Sequence, residues 1–354
     1  MFREYTKSLF KRVDKRQLMQ FKPPRLPQRI YTKTLSIDNK HYSKFCQEVA
    51  WPVSDHVHPL YLQMLSLPLQ MRCLLDKQSP FPLLGLIHCA NAVEVFEHCN
   101  LSEPIECRVR FSDVRPHSRG WEIDVLLEAF QSSKRVYKAV SSYLVKVKAV
   151  HVAPRVTQSK NAERNAEKTE SKQRDFLSSL TATADTGRRY AAISGDYNPI
   201  HLSTVSAKAF GFKNAIAHGM WTLSSVISQF VEAAGPEASE ASTESEASTE
   251  STESTDTRDN TAKQQGLDKN IRVCNGDIKK VECRFKQPVF LPNELNIYIL
   301  SASSSEGLND NVNEMPNANE KASVKSVTSG QDYAELEVMS AKDSITHLNT
   351  VLYY

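Results

Sequence analysis

Asp196 and His201 lie five residues apart in the stretch Ser194-Gly195-Asp196-Tyr197-Asn198-Pro199-Ile200-His201. A carboxylate and an imidazole that converge on one water or one Cα proton can work as a general acid/base pair. Gly195 and Pro199 are helix breakers, so the spacing predicts an ordered loop from Asp196 to His201 that turns both side chains to one point. Farther on, Ile216-Ala217-His218-Gly219-Met220 runs into Leu223, Ile227 and Phe230 at helical spacing. Backbone N–H groups at the start of a helix have no intrahelical acceptor and can hold a developing oxyanion. Gly219 is the candidate for that donor, and a thioester enolate would be such an oxyanion. His218 is expected to cap or pack at the helix start. Asn198 is expected to brace the loop or meet a substrate, and Ser194 and Tyr197 can do either. The plainer alternatives are a capping aspartate, a structural histidine and a glycine kept for close packing.

The elements that must position these groups form two similar units. In the first, Pro80-Phe81-Pro82 precedes Leu83, Leu84, Leu86, Ile87, Ala90, Val93 and Phe96, which predicts an apolar helix. Strand patterns follow over Ile105–Val114, Trp121–Phe130 and Val136–Val147. In the second unit the Gly219 helix precedes strand patterns over Lys280–Phe285, Glu294–Ala302, Tyr333–Ser340 and Ile345–Leu352. Helices gathered against antiparallel strands define an α+β class. The expected organisation is a basic tail over 1–30, a first domain over 31–155, a linker over 156–175 and a second domain over 176–354. Polar stretches over 232–268 and 303–330 carry little apolar surface and are expected to be disordered insertions.

The 354 residues suit two domains, and 40% hydrophobic content supports a substantial core. A net charge of +3 names no partner by itself. No apolar run is long enough to span a membrane, and the N-terminus lacks a secretory pattern. Seven cysteines without a C-x-x-C pair suggest reduced thiols and a cytoplasmic protein. Phe2, Tyr5, Leu9, Phe10 and Val13 among many Lys and Arg residues allow a short basic amphipathic helix that touches a membrane or an acidic partner. A frayed tail is the simpler expectation. A nucleic-acid role has no motif beyond that basic tail. Lys208, Lys213, Arg188 and Arg189 lie near the Asp196 motif and are candidates for phosphate contacts, as are Arg108 and Arg110; a solvated basic face is the simpler reading.

The ordered series Ser-Gly-Asp-x-Asn-Pro-Ile-His, Phe210-Gly211 and Ile-Ala-His-Gly-Met resembles the signature of the MaoC-like, R-specific enoyl-CoA hydratase family. Val281 to Phe290 resembles that family's following strand. The resemblance implies a double hot-dog fold, two antiparallel sheets each wrapped around a central helix. It implies that Asp196 and His201 activate water, that the Gly219 amide holds the thioester oxygen, and that no metal or redox cofactor is needed. The implied reaction is reversible hydration of a trans-2-enoyl thioester, on coenzyme A or acyl carrier protein, to an R-3-hydroxyacyl product. The first half lacks the Asp-x-Asn-Pro-x-His loop; Ser54-Asp55-His56-Val57-His58-Pro59 has the residue types without the spacing, and a structural role is expected for it. This half would shape an acyl pocket, and the chain would be a pseudo-dimeric monomer or a homodimer. A non-catalytic acyl-thioester scaffold and an acyl thioesterase are the competing readings.

Overall fold

The computed structural model describes residues 15–52, 56–83, 85–147, 174–235, 274, 276–303, 332–342 and 344–354. The first half contains α1 (Lys15–Leu18), β1 (Tyr31–Leu35), α2 (Asn39–Val49), α3 (Tyr61–Leu65), α4 (Leu67–Leu74), β2 (Ile87–Val95), β3 (Ile105–His117), β4 (Gly120–Gln131) and β5 (Lys134–Lys146). The second contains β6 (Asp175–Ala182), α5 (Thr186–Ser194), α6 (Pro199–Leu202), α7 (Thr204–Ala209), α8 (Gly219–Ala233), β7 (Lys280–Phe285), β8 (Asn293–Ser303), β9 (Tyr333–Ser340) and β10 (Thr346–Tyr353).

All ten strands join one antiparallel sheet in the order β1-β3-β4-β5-β2-β7-β10-β9-β8-β6. Counted from its outer edge, each half has the same order: first strand, third, fourth, fifth, second. In each half the main helix segment lies between the first and second strands of that half. The halves meet edge to edge where β2 pairs with β7, from Ala90 opposite Arg284 to Glu94 opposite Lys280. This is a double hot dog, with its two expected sheets fused into one.

Alternation builds the strands. Along β3, Ile105, Cys107, Val109 and Phe111 are buried, while Arg108 faces solvent. On α8, Trp221, Leu223, Val226, Ile227 and Phe230 are buried, so this helix is the core of its half. A fully buried side chain of this kind contributes roughly 1.5–3 kcal/mol.

The helix expected from Leu83 to Phe96 is absent. Ile87–Val95 is β2, hydrogen-bonded to β5 on one side and β7 on the other. A short apolar run paired on both edges has no periodicity that separates it from a helix. The central helix of the first half comes earlier, as α3 and α4, with Pro68 in the first turn of α4. The strands β1 and β6, which open the halves, were not expected from the sequence; both are edge strands with largely exposed patterns.

Part of the expected tail is docked. Leu18 is buried, and its carbonyl accepts a hydrogen bond from Trp121 Nε1 at 2.8 Å. Residues 1–14, with the amphipathic pattern, lie outside the described residues. The linker expectation also falls outside them up to residue 173, and Asp175 already begins β6. Of the expected insertions, Glu232 and Ala233 finish α8 and Ser303 finishes β8; residues 236–268 and 304–330 lie outside the description. None of the seven cysteines forms a disulfide among the described residues. Among the described residues, no helix is long and apolar enough to cross a membrane.

Candidate active site

Helix α5 ends at Gly195, whose φ of 70° is the left-handed conformation that glycine adopts without a Cβ penalty. This turn sends Asp196 back across the helix end. The Ser194 hydroxyl donates to the Tyr190 carbonyl at 2.8 Å and accepts from the Asp196 amide at 3.1 Å. Asp196 Oδ1 in turn accepts from the Asn198 amide at 3.2 Å. Asn198 caps α6 by accepting from the Ile200 amide at 3.4 Å. Ser194 and Asn198 therefore brace the turn that carries Asp196.

His201 does not sit on a loop. Pro199 occupies the first turn of α6, where its missing N–H costs nothing, so it starts a helix rather than ending one. The backbone of α6 lies very close to α5: a Cβ on Gly187 would come within 2.0 Å of the His201 carbonyl oxygen. His201 Nδ1 donates to the Ile216 carbonyl at 2.8 Å. A carbonyl only accepts, so the proton is on Nδ1 and Nε2 carries the lone pair.

His218 precedes α8 but makes no side-chain cap. Its ring stacks on His201 with centroids 3.7 Å apart, and its Nε2 donates to the Asp196 carbonyl at 3.0 Å. The same Nε2 is 3.9 Å from Asp196 Oδ2. Packing and loop bracing are thus its structural roles, in place of the expected cap. Burial, and then the neighbouring His218, hold the His201 pKa down to about 3, against the opposing pull of Asp196. Burial also lowers that of His218. Both rings are neutral at pH 7.

Gly219 opens α8 under the ring of Phe285; a Cβ there would stand 2.9 Å from Phe285 Cε1. Close packing is therefore part of why glycine is here, and the helix-start amide is present as well. Tyr197 is 37% exposed and takes no part in the cavity lining, so the structure separates it from the other candidates.

These groups open on a cavity of about 610 Å³ shared by both halves. The second half supplies Asp196, His201, Gly219 and Phe285. The first supplies Met64, Leu67, Met71 and Leu74 from its helices, with Leu86, His88 and Tyr143 from β2 and β5 or just before them. His88 stacks on Tyr143 at 4.9 Å and tilts against Phe285 at 5.0 Å. Sequence reasoning missed His88 and Tyr143 as site neighbours, because their strands were not known to meet β7. The Tyr190 hydroxyl and His218 Nδ1, both at this centre, have no hydrogen-bond partner among the described residues.

The expected phosphate contacts are engaged elsewhere. Arg189 pairs with Glu48 at 3.1 Å and Asp185 at 2.6 Å, and Arg188 donates to the Leu202 carbonyl. Lys213 stands over the Phe290 ring, and Lys208 is not in the cavity lining. Arg108 pairs with Glu106 and Arg110 with Glu128. The exposed cations that do line the cavity are Arg119, Lys146 and Lys286, none paired with a carboxylate among the described residues. His56 and His58 stay outside the cavity. His58 is buried, accepts from the Leu60 amide on Nδ1 and donates from Nε2 to the Ser224 carbonyl of α8. Ser54 and Asp55 lie outside the described residues.

One ligand atom from each of Asp196, His201 and His218 lies within 4.8 Å of the others, close enough to contact one small ion.

Residues 165–248 match the MaoC like domain family. The chain has the double hot-dog fold, and the segment matched to that family contains the Asp196–His201 turn and the start of α8. It is 28% identical over 215 residues to 3-hydroxyacyl-thioester dehydratase X of Mycobacterium tuberculosis, covering 60% of this chain and 73% of that one. The crystal structure of HtdX from Mycobacterium tuberculosis superposes with a TM-score of 0.60 at 21% identity, covering 91% of this chain and 99% of that chain. A MaoC-like dehydratase from Phytophthora capsici gives 0.57 at 13% identity, over 97% and 99%. Peroxisomal multifunctional enzyme type 2 from Drosophila melanogaster gives 0.55 at 16%, over 92% of this chain and 48% of that one. The structural likenesses establish the fold.

Proposed function

We propose that the protein is a hydratase/dehydratase of 3-hydroxyacyl thioesters, interconverting trans-2-enoyl and R-3-hydroxyacyl forms. The observation that carries this reading is the tautomer of His201. Its Nδ1 proton is committed to the Ile216 carbonyl, which leaves a basic Nε2 beside the Asp196 carboxylate in a cavity with apolar walls. The curated relative named a 3-hydroxyacyl-thioester dehydratase supports the same class.

In hydration, a water held by Asp196 and His201 gives one proton to that pair while its oxygen bonds to C3. The C2–C3 π electrons move toward the thioester, and the Gly219 amide donates to the resulting enolate oxygen. A proton from the same pair then completes C2. Addition of O and H from one side accounts for a syn product, and dehydration is the reverse. Water, the thioester and these side chains balance the reaction. The cavity walls from α3 and α4 would take the acyl chain. The Arg119, Lys146 and Lys286 rim suits a phosphate-bearing carrier, coenzyme A or the phosphopantetheine of an acyl carrier protein.

The test is hydration of trans-2-enoyl-CoA of several chain lengths, followed by loss of conjugated thioester absorbance, with chiral analysis of the product and a thiol assay. An R-3-hydroxyacyl product without free thiol is expected, with Asp196→Asn and His201→Ala each slowed about 100- to 10,000-fold. Thiol release would point to a thioesterase instead. Binding without turnover of either coenzyme A or carrier-protein esters would make the protein a scaffold.

A further inference from the structure

Away from the Asp196 centre, three metal-ligating side chains converge at the seam between the halves. His56 precedes α3, His98 follows β2, and Asp277 precedes β7. One ligand atom from each lies within 4.8 Å of the others. His98 Nε2 is 3.2 Å from Asp277 Oδ1, and the His56 and His98 rings face each other at 4.3 Å. We propose that His56, His98 and Asp277 form a zinc site that ties the first half to the second.

The spacing suits the ion. Zn–N and Zn–O bonds of about 2.0–2.2 Å put neighbouring ligand atoms of a tetrahedral site about 3.4 Å apart. The His98–Asp277 pair is already close to that separation, and a ligand atom of His56 lies within 4.8 Å of both. Two imidazoles and one carboxylate are a borderline N/O donor set that favours zinc over calcium or magnesium. His98 is exposed, which leaves a path for the ion and a place for a water as fourth ligand.

The cluster already attracts a cation. Lys279 Nζ lies 2.6 Å from Asp277 Oδ1 and 3.4 Å from His98 Nε2. The ammonium sits against the two atoms that the ion would bridge. Its side chain is 41% exposed and can swing into solvent. Zinc and Lys279 therefore compete for one place, and removing the lysine charge strengthens the site.

The experiment is equilibrium dialysis of the full chain against zinc, with Co²⁺ absorption spectra reporting four-coordinate N/O ligation. Wild type is compared with His98→Ala, Asp277→Asn, Lys279→Met and His201→Ala. The expected result is one ion held at this site, binding at least tenfold weaker in His98→Ala and Asp277→Asn, several-fold tighter in Lys279→Met, and unaffected by His201→Ala. His98 is exposed and Asp277→Asn is isosteric, so both variants should fold, which circular dichroism verifies. No zinc retained by wild type overturns the proposal. So does an ion that survives both seam variants and is lost from His201→Ala, which would belong to the Asp196 centre.

Discussion

His201 and His218 stack ring on ring, 3.7 Å between centroids and 27° between planes. Two imidazoles this close cannot both be charged, and the surrounding burial keeps both neutral. His201 can therefore take a proton only briefly, and the Asp196 carboxylate stabilises that state.

Buried neutral histidines make stability depend on pH in a definite direction. His58 and His201 have pKa values pushed down to about 3 by burial, against an ordinary 6.5. Between these values the unfolded chain holds more protons than the folded one. Stability is complete above pH 6.5 and falls as pH is lowered toward 3, by roughly 3 kcal/mol per pH unit for the pair. Urea midpoints should hold from pH 7.5 to about 6.5 and then drop steadily to pH 5. A slope halved would mean that one of these rings keeps an ordinary pKa in the fold, and a flat profile that both do.

Gly187 positions His201 by having no side chain. A Cβ there would meet the His201 carbonyl oxygen at 2.0 Å, so Gly187→Ala must move α6 by about an ångström. A shift of that size at a reacting group costs about 100-fold in rate. Overpacking costs about 1–3 kcal/mol of stability. The check is kcat in a variant shown to be folded by its melting curve. An unchanged kcat would show that His201 tolerates displacement.

His58 joins the halves through the Ser224 carbonyl, while its Nδ1 holds the Leu60 amide. In His58→Ala the Ser224 carbonyl keeps the Ser228 hydroxyl as a partner, but the buried Leu60 N–H loses its own. That loss costs about 1–3 kcal/mol, with a further cost for the cavity left by the ring. Chemical denaturation measures it, and a change below about 1 kcal/mol would rule out a clamp.

The cationic rim predicts how carriers are told apart. Lys286→Ala and Arg119→Ala should each raise KM for coenzyme A thioesters about two- to fivefold with kcat preserved. The wild-type KM should itself rise with salt. A pantetheine thioester without phosphate should show neither effect. Equal KM changes for both substrates would place the rim outside the carrier path.

The sequence made much of this legible, for physical reasons. Strand patterns marked β3, β4, β5 and the four strands from β7 to β10, with alternation clearest at the start of β3, which has one face on the core. The Asp196 turn was legible because Gly195 and Pro199 mark backbone geometry. The same reasoning misplaced Pro199, which begins α6, since proline both ends and starts helices. It mistook β2 for a helix because Ile87–Val95 is governed by pairing partners 42 and more residues away. Tyr197 looked like a site residue by adjacency alone, and the Gly195 turn points it outward. Glu128 of β4 pairs with Arg110 and Glu48 of α2 with Arg189, partners that no local pattern reports, whereas Arg108 pairs within its own strand with Glu106.

The β2–β7 seam has a consequence for how the protein behaves on dilution. Two separate subunits meeting through such an edge would part at low concentration and leave a row of open amides and carbonyls ready to pair with the wrong strand. Here both edges belong to one polypeptide, so their encounter is intramolecular and set by chain length rather than by how many copies are present. The shared cavity should persist at any working concentration. Each half is also released from having to be a complete partner for a copy of itself, which lets one keep the reactive turn while the other is shaped around what it receives.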